Sequence, residues 1–176
     1  MRRASSAVVA MILAIAFYFT LFWGFDALRI FTSPTYGLDD VWRSQFVFGI
    51  GRFLGAGPEG LIKIAAVFGA IKLIVAGVCA VHILDRFRSL IGGRADPEIL
   101  EAGLILAVIA SMVAVAPALW SQNSDLVREH IINLLLAGLA AALCIIERNG
   151  YAAGESAVAE ARMAAVKTPK WYSPWR

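Results

Sequence analysis

An all-α membrane protein with four transmembrane helices is the fold class this sequence predicts, and three observations predict it. Hydrophobic residues make up 60% of the 176-residue chain and charged residues only 16%, against about a quarter charged in soluble domains. The apolar residues gather in four runs, about residues 7–30, 61–84, 99–120 and 127–147, each close to the roughly 20 residues needed to cross a hydrocarbon core. None of the runs alternates apolar with polar residues, which excludes a closed β-barrel. In lipid an unpaired backbone polar group costs several kcal/mol, so such runs must be helical. Short connections after the second and third spans favour an antiparallel bundle of neighbours.

The first span follows Arg2 and Arg3 and starts like a secretion signal. It runs on through "FYFTLFWGF" without a small-residue cleavage site, which marks an uncleaved anchor. Basic residues concentrate before span 1, between spans 2 and 3, and after span 4, including Arg86, Arg88, Arg94, Arg148, Arg162, Lys167, Lys170 and Arg176. By the positive-inside rule both termini are cytoplasmic, and the chain is a multi-pass protein of the bacterial inner membrane. The net charge of +3 then reports orientation and contact with the lipid bilayer, with no nucleic-acid partner.

The elements follow in order. Asp39 and Asp40 start a short helix, about residues 40–54, on which Trp42, Phe46, Gly49 and Phe53 share one face. Aromatic rings on that face suit the outer interface. The glycines of "GIGRFLGAGPEG" make flexible joints around this helix; they follow no strand and lack the Gly-Lys-Ser/Thr ending of a phosphate loop. Asp96, Pro97 and Glu98 start span 3, Asp125 starts span 4, and Asn149–Gly150 ends it. Residues 1–150 thus form the transmembrane domain and 151–176 a cytoplasmic tail. That tail holds an alanine-rich helical piece and a final "KWYSPWR", whose Trp171, Tyr172 and Trp175 alternate with basic residues. Such a segment suits a headgroup layer or the surface of another subunit. Spans 2 and 3 are dotted with small residues that let helices approach closely.

Lys72 stands near the middle of span 2, where a charge costs at least ~2.5 kcal/mol on insertion scales. Counted from the ends of their own spans, it lies about 16 Å deep and Asp26 only about 6 Å deep. On that count Asp26, Glu59 and Lys63 form an outer polar cluster, and Lys72 is left without a carboxylate at its depth. It would then bind an anionic lipid headgroup, carry a proton or pair with another subunit; otherwise it snorkels. At the inner end, Cys79 and His82 are three apart on span 2, as are Cys144 and Glu147 on span 4. Thiolate, imidazole and carboxylate are weak candidate metal ligands there, with buried small residues the plainer account. His82 and His130 fall near opposite faces, so this chain alone holds no haem between two histidines. Asn133 is most simply an interhelical hydrogen bond. No cofactor is expected, and the sequence leaves room for a bound lipid.

In size, span number and long first outer loop the chain resembles the DoxX-like family of small bacterial membrane proteins, at "FWGFDAL" and "AIKLIVAGVCAVHIL". That resemblance implies a quinone-linked redox component, and it transfers no functional residue. The absence of a nucleophile elbow, a zinc-protease motif or a paired-carboxylate arrangement argues instead for a non-enzymatic part. The leading expectation is an accessory subunit of a larger, energy-transducing membrane complex; the other is a small transporter or redox component using Lys72 and the Asp26 cluster.

Overall fold

A computed structural model of the chain describes residues 6–89, 98–120, 122 and 124–167. Over these residues it is all-helical, with α1 Ser6–Thr32, α2 Val41–Leu54, α3 Pro58–Ser89, α4 Glu98–Trp120 and α5 Ser124–Lys167. Four helices are long and apolar enough to cross a membrane, over Ser6–Thr32, Pro58–Arg88, Ile99–Trp120 and Ser124–Gly150. Their outward side chains fit that solvent. Phe25, Leu135, Met112 and Ile105 are each more than 60% exposed, a surface that water would not tolerate and hydrocarbon favours. This is a membrane protein.

Local chemistry accounts for the ends. Asp40 takes the N-cap position of α2, its carbonyl accepting from the Ser44 amide at 3.0 Å. Asp39 accepts from the Thr35 hydroxyl at 2.8 Å, and this bond holds its carboxyl below the ordinary range. Gly55, at φ +64°, ends α2. The Ala56 amide reaches back to the Gly51 carbonyl at 2.8 Å and the Gly55 amide to Arg52 at 3.3 Å, the paired closure of a left-handed cap that glycine adopts without penalty. Pro58 then opens α3 at the first helical position, where its missing N–H costs nothing. The start expected at Asp96 and Pro97 lies outside the described residues.

α5 departs from expectation. The apolar span ends near Gly150, yet the helix does not. It continues without a break to Lys167, because Gly150 and Gly154 each cost only about 1 kcal/mol inside a helix and the alanine-rich stretch around them favours helix.

α1 packs chiefly against α3 and α4 against α5, while α3 meets α4, α1 meets α5, and α2 lies across both α3 and α4. The main core joins Phe19, Trp23, Val75, Cys79, Leu104, Ala107, Ala137 and Ala140. Small residues set the spacing: Ala107 and Ala137 are fully buried, and a Cβ on Gly103 would come within 2.7 Å of Val78. A second cluster, Phe46, Val47, Ala65, Phe68 and Ala114, fastens α2 down. Gly49 permits the crossing of α2 over α4, since a Cβ there would meet the Pro117 ring at 2.6 Å.

Candidate functional site

The axial register of α1 on α3 builds the site. Gly24 faces Ala76 and Gly69 faces Ile30 and Phe31, so positions descend along α3 as they climb along α1. The end of α1 is therefore level with about residue 67 of α3. α3 stands some nine residues, or about 14 Å, beyond it. That offset corrects the depth count. Asp26 is level with Lys72 and forms an ion pair with it, both side chains under 15% exposed. Glu59 and Lys63 instead pair with each other at 2.8 Å on the outward first turn of α3, 83% and 74% exposed. They belong to a different environment, and an exposed i,i+4 pair contributes a few tenths of a kcal/mol.

Phe46 closes the ion pair from the α2 side. Its ring centroid lies 5.4 Å from the Lys72 ammonium, a cation–π contact, and it packs edge-on against Phe68 at 4.9 Å and His130 at 6.3 Å. Of the aromatic face expected on α2, Phe46 is buried and Gly49 sits on Pro117, whereas Phe53 projects 78% exposed. The Trp42 side chain and Trp171, Tyr172 and Trp175 lie outside the described residues.

On the far side of Phe46, Lys72, Ser111, Glu129, His130 and Asn133 line one small cavity with Trp23 and Phe68. It holds about one water molecule. Ser111 Oγ and His130 Nε2 are buried there without a protein partner, while Asn133 Oδ1 accepts from Tyr18 at 3.2 Å. Asp26 also borders a second small cavity on the α2 side, with Arg29, Tyr36, Asp40 and Ser44. There Arg29 and Asp40 pair at 2.9 Å. Asp26, Lys72 and Phe46 thus separate two chambers, and all four long helices contribute to the arrangement.

A second ion pair ties α3 to α5 at the opposite end. Arg86 Nη2 donates to both Glu147 oxygens, at 2.7 and 2.6 Å, with Glu147 4% exposed. This occupies the carboxylate that had been grouped with Cys79, His82 and Cys144. Among the described residues no three His, Cys, Asp or Glu side chains come together as a metal site. Cys144 and His82 are buried near this pair and Cys79 is buried in the main core, both cysteines as free thiols. His82 lies ten residues along α3 from Lys72, about 15 Å, whereas His130 lies at the ion pair itself.

Reading each span alone missed several of these residues. Glu129, His130 and Ser111 beside Lys72, and the Arg86–Glu147 pair, all require knowledge of neighbours. A partial signal existed for the last, since Arg86 and Glu147 are opposite charges at the same end of spans 2 and 4. Comparison with protein-family models, with curated proteins and with solved structures finds no match to this chain.

Proposed function

We propose that the chain is a structural or accessory subunit of a larger membrane complex, an antiparallel four-helix bundle with both termini on the cytoplasmic side of a bacterial inner membrane. The observation that carries this reading is the α5 extension. Past Gly150 the helix projects another 17 residues, Tyr151–Lys167, about 26 Å. From Arg148 onward every described side chain on it is exposed, Val158 and Met163 among them. A membrane helix that carries an extension of this length, exposed wherever its side chains are described, offers a neighbour a docking edge. Lys72 no longer supports the reading, because Asp26 satisfies it within the chain.

The test is a gentle detergent extraction from native membranes, with mass spectrometry of whatever co-elutes, on the full chain and on one ending at Gly150. The full chain should bring down a defined set of membrane proteins, and the shortened chain should insert normally but lose them. A full-length protein that elutes alone as a monodisperse species would overturn the reading.

One observation favours a second reading, a small transporter or quinone-linked component. Four polar side chains of α4 and α5, Ser111, Glu129, His130 and Asn133, join the Asp26–Lys72 pair of α1 and α3, and charges inside a membrane are costly enough to mark function by default. The chambers hold about one water each, so this path would carry protons rather than a solute. Vesicles containing the purified chain should then show potential-driven proton uptake that Asp26→Asn abolishes. Flux equal to that of protein-free vesicles would remove this alternative.

A further inference from the structure

A third opening is far larger than the two around Lys72. It is a groove of about 470 Å³ lined by Gly49, Arg52, Phe53, Pro117 and Trp120, in the range of ligand pockets. Its floor is the Gly49–Pro117 crossing of α2 over α4, where the lack of a Cβ brings the helices together. Its walls are two aromatic rings left almost wholly uncovered, Phe53 at 78% and Trp120 at 81% exposed. Arg52 is an exposed part of the same lining, and among the described residues no carboxylate pairs with it.

The depth of the groove follows from α4. The apolar span Ile99–Trp120 has 22 residues, about 33 Å, so Trp120 emerges where hydrocarbon gives way to headgroups. Tryptophan is favoured at that level. A guanidinium there meets the phosphate layer and can donate two parallel bonds to phosphate oxygens. Among the described residues the lining holds no acidic side chain that would receive a headgroup ammonium.

We infer that this groove seats the headgroup of an anionic phospholipid, its phosphate on Arg52 and its glycerol backbone between Phe53 and Trp120. The site goes beyond the subunit reading and is independent of the α5 extension. Occupied, it wedges lipid against the α2–α4 crossing and so holds α2 over the Asp26–Lys72 pair.

The experiment uses the full chain in nanodiscs of zwitterionic phosphatidylcholine doped with brominated phosphatidylglycerol or, separately, brominated phosphatidylcholine, with tryptophan fluorescence read against dopant fraction. Brominated phosphatidylglycerol should quench at about fivefold lower fraction than brominated phosphatidylcholine, the factor expected for one cationic side chain near the surface. Arg52→Gln should abolish that preference, Arg52→Lys should retain part of it, and Trp120→Phe should remove the quenching component. Arg128→Gln, at another exposed arginine near the same end, should change nothing, and soluble glycerol phosphate should not compete. Equal quenching by the two lipids, a preference that survives Arg52→Gln, or quenching unchanged in Trp120→Phe would each overturn the inference. Competition by glycerol phosphate would assign the site to a soluble phosphate rather than a lipid and overturn it equally. Helix content by circular dichroism accompanies each variant, and Arg52 is exposed enough that its removal leaves the fold intact.

Discussion

Removing Asp26 strands the Lys72 ammonium inside the protein, and the size of the penalty can be bounded. Breaking a buried pair from one side typically costs about 3–5 kcal/mol, and both side chains here are under 15% exposed. The stranded group has an escape that limits the loss. Removing a proton from an ordinary lysine at pH 7 costs about 4.6 kcal/mol, and adding one to an ordinary aspartate about 4.2 kcal/mol. Asp26→Asn should therefore lower the unfolding free energy by about 3–4 kcal/mol at pH 7, and Lys72→Met, which leaves Asp26 its other contacts, by less. Lys72→Met also forfeits the contact with Phe46. The double variant leaves neither charge of the pair behind and should fall within about 1 kcal/mol of the parent, giving a coupling of about 2 kcal/mol or more.

The assay is unfolding by sodium dodecyl sulfate from mild-detergent micelles, followed by circular dichroism at pH 7. Single effects that simply add in the double variant, with coupling below about 0.5 kcal/mol, would refute the claim that this pair is buried and mutually dependent.

Three further outcomes are expected. Arg86→Gln leaves Glu147, 4% exposed, without its guanidinium and should cost about 3–5 kcal/mol in the same unfolding assay, whereas Arg88→Gln, whose side chain is 79% exposed, should cost almost nothing. Gly49→Ala drives a methyl to 2.6 Å from the Pro117 ring, which should destabilise by about 1–3 kcal/mol and raise protease or hydrogen-exchange access at α2 before the long helices respond; an unchanged exchange pattern would show that α2 is not held by this crossing. For orientation, a cysteine at Ser33 should react with an impermeant thiol reagent in intact cells and one at Ser89 should not, with the native thiols silent because Cys79 and Cys144 are buried; the reverse pattern inverts the topology.

What the sequence determined by itself follows from the solvent. Hydrocarbon offers no hydrogen bonds, so a run such as "LIVAGVCAVHIL" has to be helical and has to span, whatever its neighbours do. The same holds for local starts and stops: Asp40 before α2, Gly55 after it and Pro58 opening α3 act within one turn of chain. Gly150 shows the limit even there, since it ends the apolar span without ending the helix. Residue composition reports where lipid stops; continuity of the backbone depends on the helix propensity of the alanines that follow.

Only the tertiary structure decided who meets whom. No property of span 1 or span 2 alone says that α3 stands about nine residues beyond the end of α1. That offset comes from side chains meshing at Gly24 on Ala76 and at Ile30 and Phe31 on Gly69, and sliding one helix by two turns would leave both compositions unchanged. The slide decides whether Lys72 is a lone charge or half of an ion pair. The placement of Phe46 over that pair and the meeting of Arg86 with Glu147 arise in the same way. A helix in lipid is specified by its own residues, whereas its register against a neighbour is specified by shape complementarity between two surfaces, and shape complementarity is not written in either sequence separately.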